Sequence, residues 1–384
     1  MMTRAATPLE FADCTALVVD DAPMNRDLIA VMLTAMGVGR VDTAEDGLDA
    51  LDRARRTRPD IVVLDIMMPR MDGFEFLARF RADPEFADIP VLVATALHGA
   101  EDRVRAFDSG ASDYVVKPID RRELIARAGV HLRNRQLVRR LTTYRDRLQQ
   151  DLEVATAMQA ALLPSQDQMN HLQRRYGVDM TAVIHASTEV SGDLWGWFPV
   201  DFDRFAVWLA DFSGHGVAAA INTFRLHVIL EGGPSGDPAA MLTRLNSTLV
   251  SVLPRGQFAT MLYAVCDIRN QTLTFSSAGA TAPVVCLPDG TAQLHPASSL
   301  PLGIRDGTPY GNVTLPFCKG CSLFLYSDGL SEAMGRDGVA LGEEGARGLA
   351  REVATTHDLQ NGIASLVQGG VTFTDDLSAV WVST

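Results

Sequence analysis

Pro59-Asp60-Ile61-Val62-Val63-Leu64-Asp65-Ile66-Met67-Met68-Pro69 is the stretch on which the fold reading turns. Its apolar run, Ile61–Leu64, lies between Pro59-Asp60 and Asp65. A run that short reads as a strand buried on both faces. Comparable runs flank it: Ala16–Val19, a weaker one near Val41–Ala44, Val91–Ala94 and Tyr114–Val116. Helix-spaced apolar residues such as Leu28, Val31, Met32 and Ala35 fill the intervals. This alternation predicts an α/β domain with a doubly wound, five-stranded parallel sheet. Ligands of such sheets bind beyond the carboxyl ends of the strands. The polar residues just after each run are therefore the candidates.

Those residues are Asp20 and Asp21 after the first run, Asp65 after the third, Thr95 after the fourth and Lys117 after the fifth. Three carboxylates at one sheet edge repel unless a cation sits among them. A hard divalent ion such as Mg²⁺ suits oxygen ligands. It also leaves one carboxylate free to act as a nucleophile toward a phosphoryl group. A lysine and a hydroxyl nearby suit the remaining phosphoryl oxygens. Acidic pair, carboxylate, hydroxyl and Lys117-Pro118, in that order, resemble the response-regulator receiver family over about residues 14–133. The resemblance implies that Asp65 accepts the phosphoryl group from a sensor histidine kinase or phosphotransfer protein. It implies that Asp21, Asp65 and the Met67 carbonyl hold Mg²⁺, with Asp20 acting through water. Thr95 and Tyr114 would be the switch pair, and Lys117 the phosphate contact. Ala22 departs from the glutamate often found there.

The 384 residues suggest two or three domains at roughly 100–200 residues each. Net charge is −13, which opposes general nucleic-acid binding. The apolar runs are too short to span a membrane, and the N-terminus lacks the pattern of a signal peptide. Five irregularly spaced cysteines fit a reducing, cytoplasmic home. Cys318 and Cys321 form a CxxC pair, the spacing of half a zinc site or a redox couple. No second pair completes four zinc ligands, so the expected reading is two small apolar residues opening a strand.

Residues 121–163 change character. Nine arginines fall within 121–150 against Glu123 and Asp146. Leu137, Leu141, Tyr144, Leu148, Leu152, Ala155 and Leu162 recur at three- and four-residue steps, with one slip between 148 and 152. A heptad-like stripe with charged flanks predicts a helical coiled-coil linker and a homodimer paired through it.

A second domain is expected over 164–384; from about 178 onward strand-like runs alternate with Gly- and Asp-rich turns, and helices are expected at Val217–Glu231 and Pro238–Leu253. Aspartates sit in those turns: Ser191-Gly192-Asp193, Asp211-Phe212-Ser213-Gly214-His215-Gly216, Ser327-Asp328-Gly329 and Asp375-Asp376. With no Cys or His at ligand spacing, Mg²⁺ or Mn²⁺ is expected rather than zinc. Two such ions can lower the pKa of a shared water for attack on a phosphate ester.

Together with Asp151–Pro164, Phe258-Ala259-Thr260-Met261 and Leu300-Pro301-Leu302-Gly303, these turns resemble the metal-dependent, type 2C protein phosphatases in their sporulation and sigma-regulator branch. That implies an α+β domain, a layered β-sandwich flanked by helices. It implies that Asp211 bridges two metals, with the Phe212 carbonyl on one. Asp328 and Asp375 would hold the other, Asp193 would ligate directly or through water, and Asp376 is the weaker of its pair. Ser191 and Ala280 depart from a usual glycine and a frequent histidine. His215 matches the family motif and suits a phosphate contact or a turn hydrogen bond. The implied activity is removal of phosphate from serine or threonine of a protein, with an anti-sigma-factor antagonist as substrate. The alternative is a phosphatase-like adaptor that binds a partner without turnover. Retention of all four aspartates favours the enzyme.

Overall fold

The structure is a computed structural model and describes residues 10–95, 100–187, 190–214, 216–297 and 299–384. Two compact units divide the chain, Met1–Arg147 and Leu148–Thr384. Among the described residues no helix is long and apolar enough to cross a membrane.

The first unit alternates strand and helix: β1 (Thr15–Val19), α1 (Pro23–Ala35), β2 (Arg40–Ala44), α2 (Gly47–Thr57), β3 (Ile61–Asp65), α3 (Gly73–Ala82), β4 (Val91–Thr95), α4 (Ala100–Asp108), β5 (Asp113–Val116) and α5 (Arg121–Ala160). The strands pair in parallel in the order β2-β1-β3-β4-β5, as the alternation predicts. Alternate strand residues point to opposite faces, so a sheet covered on both sides needs continuous apolar runs. Leu17, Val62, Leu64 and Val93 pack one way, against Phe76 and Phe80 of α3. Val18, Ile61, Val63 and Leu92 pack the other way, against Ile29, Leu33, Leu124 and Leu132 of α1 and α5. Asp46 and Asp72 cap α2 and α3 by accepting from the Asp49 and Glu75 N–H groups, contacts worth about 1 kcal/mol each.

Helix α5 is forty residues long and crosses the boundary between the units. Its first turns belong to the receiver-like sheet through Leu124, Ala128 and Leu132. Beyond them Gln136 donates to the Glu10 carbonyl at 3.1 Å, and Arg139 pairs with buried Asp60. Leu137, Leu141, Tyr144 and Leu148 then face solvent. From Leu152 onward the stripe turns inward: Leu152 and Ala155 are half-buried and Gln159 is buried. The slip at 148–152 is thus the point where the apolar stripe stops facing solvent, and beyond it Leu162 and Leu163 pack against the second unit's core.

The second unit continues with α6 (Gln166–Tyr176), β6 (Asp179–His185), β7 (Asp193–Pro199), β8 (Arg204–Phe212), α7 (Val217–Leu230), α8 (Pro238–Val252), β9 (Ala259–Asp267), β10 (Thr272–Ala278), β11 (Val284–Cys286), β12 (Ala292–Leu294), β13 (Val313–Pro316), β14 (Ser322–Tyr326), α9 (Asp328–Ser331), α10 (Gly342–Thr356), α11 (Leu359–Gln368) and β15 (Leu377–Ser383). Two antiparallel five-stranded sheets form, β13-β10-β9-β8-β7 and β12-β11-β14-β15-β6. Their inner faces share a core of Trp197, Phe205, Leu262, Phe275, Leu323 and Val380. Helices α7 and α8 cover one outer face through Leu226, Met241 and Leu245. Helices α10 and α11 cover the other through Leu349, Val353 and Ile363. This is the helix-flanked sandwich expected. Gly196 has no side chain because the Trp208 indole occupies that space; an added Cβ would lie 2.6 Å from its ring.

Candidate active sites

In the first unit β1 and β3 are neighbours whose outgoing connections lead to opposite sheet edges, the place where such sheets bind ligands. Asp20, Asp21 and Asp65 bring three carboxylate oxygens within 4.8 Å of one another there. Lys117 Nζ lies 2.8 Å from Asp20 and 2.7 Å from Asp65. Asp20 also accepts from Ala22 N–H at 2.9 Å and Asn25 Nδ2 at 3.0 Å, so its oxygens are largely committed. Asp65 accepts from Ile66 N–H at 2.8 Å. Burial holds the Asp65 carboxyl above its ordinary range against the pull of Lys117, with Asp20 adding to the rise. Burial lowers the Lys117 ammonium, but its bonds to Asp20 and Asp65 outweigh this and leave it raised. A divalent cation fits this acidic cluster, with exposed Asp21 the least committed of the three.

Thr95 ends β4 and is buried, while Tyr114 in β5 is half-buried. The Tyr114 ring stands edge-on to Phe107 at 5.9 Å, with the Arg127 guanidinium 5.4 Å from its centre. Met67, two residues beyond Asp65, is 72 % exposed.

In the second unit Asp193 and Asp211 are direct partners across β7 and β8. Asp328 follows β14, and Asp375 precedes β15, the neighbour of β14. The four carboxylates therefore gather where both sheets end. Asp193 is 2 % exposed, and neither of its oxygens makes a hydrogen bond. Burial, reinforced by Asp376 and Asp328, pushes it up to about 7 despite nearby Ser378 and Ser327 hydroxyls. Burial, followed by Asp193, Asp328 and Asp375, pushes Asp211 up to about 9. Asp328 is raised by burial, then by Glu332 and Asp375. No three of these four reach the 4.8 Å spacing of the first cluster.

Oxygen atoms also converge around Gly192. A Cβ there would lie 2.9 Å from the Phe212 carbonyl, 3.3 Å from Asp211 Oδ1 and 3.3 Å from the Gly214 carbonyl. An oxygen-lined hollow beside an unpartnered buried carboxylate is the chemistry of a hard cation site. Gly329 similarly admits the Asp376 carbonyl, which a side chain would strike.

Asp376 has a different task from Asp375. Its carboxylate accepts from Ser187 N–H at 2.7 Å, Ser187 Oγ at 2.8 Å and Gly192 N–H at 2.7 Å. It braces the turn that carries Asp193, whereas Asp375 is exposed. Ser191 takes part in the same turn, since its hydroxyl accepts from Asp193 N–H at 3.0 Å. Ala280 lines a cleft between the sheets that also touches Asp211, Thr260, Tyr326 and Asp328. His215 lies outside the described residues.

Sequence reasoning missed Gln159. Its amide donates to the Ser191 carbonyl at 2.6 Å and to Thr223 Oγ1 at 3.2 Å, and accepts from Ser191 N–H at 3.1 Å. The end of α5 thereby grips both backbone groups of Ser191, two residues before Asp193. A lone glutamine in the apolar stripe was the available signal.

The raised acids carry a pH consequence. Asp193 and Asp211 hold protons in the fold well above the unfolded carboxyl value, so folding takes up protons. Stability of the metal-free protein should fall as pH rises from about 4 through about 9. Manganese, which needs those protons removed, should bind more tightly over the same rise. Thermal midpoints in chelator and in Mn²⁺ across that range check both statements. A metal-free midpoint that climbs steadily with pH contradicts the assignment.

Family matches agree with this division. A response-regulator receiver domain model matches residues 16–129, and a stage II sporulation protein E (SpoIIE) model matches residues 201–384. The DNA-binding dual master transcriptional regulator RpaA of Synechocystis is 43 % identical over 117 residues, 30 % of this chain and 48 % of its own. The response regulator PleD of Caulobacter vibrioides is 49 % identical over 111 residues, 29 % of this chain and 24 % of its own. The chain thus spans half or less of these curated relatives. The SiaA-PP2C domain of Pseudomonas aeruginosa superposes with a TM-score of 0.55 at 22 % identity, covering 63 % of this chain and 98 % of that one. That likeness establishes the fold of the second unit. The chain is a response-regulator receiver domain, residues 16–129, followed by long helix α5 and a domain of the stage II sporulation protein E family with the type 2C phosphatase fold.

Proposed function

We propose that the protein is a cytoplasmic two-component response regulator in which phosphorylation of Asp65 controls a phosphoserine/phosphothreonine protein phosphatase. The phosphodonor is a sensor histidine kinase or phosphotransfer protein, and the substrate is a phosphorylated anti-sigma-factor antagonist. The observation that carries this reading is the Asp193–Asp211 pair, facing across β7 and β8, with Asp193 buried and unpartnered. A domain that only binds a partner gains nothing from such a costly arrangement. Asp211 would bridge two Mn²⁺ or Mg²⁺ ions, with the Phe212 carbonyl and Asp193 on one side and Asp328 and Asp375 on the other. Bound there, the ions supply an acidified water and charge neutralisation for in-line attack on the phosphate ester. Gln159, Ser191 and Asp376 hold the Asp193 turn in place. In the receiver, Asp21, Asp65 and the Met67 carbonyl would hold Mg²⁺, Asp20 would act through water, and Lys117 and Thr95 would take the phosphoryl oxygens.

The adaptor reading draws support from one observation: the four aspartates do not close to ligand spacing. The deciding experiment measures Mn²⁺-dependent hydrolysis of a phosphoserine peptide, with and without acetyl phosphate. The enzyme reading expects turnover, and a rate that acetyl phosphate changes in the wild type but not in Asp65→Asn, whose amide is no nucleophile. Absent turnover at saturating Mn²⁺ in both phosphorylation states would favour the adaptor.

A further inference from the structure

Cys318 and Cys321 occupy the turn between β13 and β14, and their Sγ atoms stand 3.1 Å apart. The turn is rigidly built. Cys321 N–H donates to the Cys318 carbonyl at 2.9 Å, and Gly320 takes the positive φ of +85° that the third residue of a type II turn requires. Thr384, just after β15, braces it, its hydroxyl shared between the Cys318 and Cys321 carbonyls at 3.0 and 3.1 Å. The other three cysteines, Cys14, Cys266 and Cys286, are buried. Cys321 is also buried, in the core between the sheets, as expected of a small apolar residue. Cys318 is half-exposed and reachable by a small oxidant.

We propose that Cys318 and Cys321 form an oxidisable dithiol that closes to a disulfide under peroxide. Cys318 is the attacking sulfur because it alone among the cysteines meets solvent. Burial pushes the Cys321 thiol up to about 11, so it stays protonated and leaves the first step to Cys318, while its sulfur 3.1 Å away is placed for the second, resolving step. In the first step the Cys318 thiolate attacks one peroxide oxygen, the O–O bond breaks, and hydroxide leaves with a sulfenic acid left behind. In the second, Cys321 sulfur attacks Cys318 sulfur, its proton goes to the departing oxygen, and water leaves. Two thiols lose two electrons, and peroxide is reduced to two waters. A thiol such as reduced glutathione reverses the closure. The turn places the two Cα atoms within the span that a disulfide needs, so no strand has to move.

Lys319 lies between the two cysteines and makes the test direct. The full chain is reduced, exposed to equimolar hydrogen peroxide, alkylated under denaturing conditions and digested with trypsin. Cleavage after Lys319 separates the two cysteines, so their peptides remain joined only by a disulfide. The expected result is a joined pair lacking two hydrogens, separated by reductant, and absent from Cys318→Ser and Cys321→Ser. Cys14, Cys266 and Cys286 should be recovered alkylated. Recovery of both Cys318 and Cys321 alkylated after peroxide would overturn the proposal. So would Cys318 driven to sulfinic acid while Cys321 remains alkylated, since that shows the buried thiol does not resolve.

Discussion

Asp211→Asn should abolish phosphate-ester hydrolysis while leaving a protein at least as stable as the wild type in chelator. The amide keeps the shape of the side chain but removes one negative ligand from each of two ions. Loss of several kcal/mol of charge stabilisation corresponds to a rate loss on the order of 10³-fold or more. The stability half follows from the metal-free cluster. Asp211 sits opposite Asp193 and close to Asp328 and Asp375, and its carboxyl is pushed up to about 9. An uncharged amide relieves that crowding above neutral pH. Initial rates against Mn²⁺ concentration and melting curves in chelator provide both readings. Near wild-type turnover would end the two-metal assignment. A sharp fall in the metal-free melting point would show that Asp211 is needed to hold the fold, and the rate loss could no longer be assigned to metal binding.

Residues that chemistry forces to strand ends were readable without coordinates. Asp65 closes a run with no polar interruption, and only a strand covered on both faces tolerates that. Asp20, Thr95 and Lys117 follow by the same logic, and the structure brings Asp20, Asp21 and Lys117 around Asp65. Asp211 and Asp328 were legible for the same reason, since each follows an apolar strand. The pairing of Asp193 with Asp211 was not. It depends on a hairpin register set by Gly196 lying over Trp208, a contact that no periodicity records. The separate tasks of Asp375 and Asp376 were also hidden. Neighbouring side chains at a strand entrance point opposite ways, and the chain alone does not say which is the inner one. Gln159 stands out in the sequence only as a polar residue in an apolar stripe; its grip on both backbone groups of Ser191 is a tertiary contact that spacing does not record. The boundary between the units falls inside the linker expected at 121–163, but its exact place was not legible, because α5 passes through it without a break.

Leu141→Asp combined with Leu148→Asp should abolish the response of hydrolysis to Asp65 phosphorylation, with both domains still folded. The argument rests on what each part of α5 touches. Toward its middle Gln136 and Arg139 fasten it to Glu10 and Asp60, and near its end Gln159 fastens it to the turn carrying Asp193. Between those anchors Leu141 and Tyr144 are 69 % and 72 % exposed, and Leu137 and Leu148 share the same face. Four large apolar residues at heptad spacing form a seam suited to a second copy of the helix. A coupling claim requires an element with two arrangements that both sites bias. If paired, a helix whose stripe changes direction at 148–152 would provide one, because a small rotation of the seam would be carried to Ser191 through Gln159. Paired aspartates in the seam should cost about 1–3 kcal/mol or more per site. They touch neither carboxylate cluster, so hydrolysis itself should persist, higher or lower than before. The ratio of rates with and without acetyl phosphate should fall to about one, and light scattering should report a monomer. If the monomer still responds to acetyl phosphate, the signal does not need helix pairing, and the exposed stripe serves some other contact.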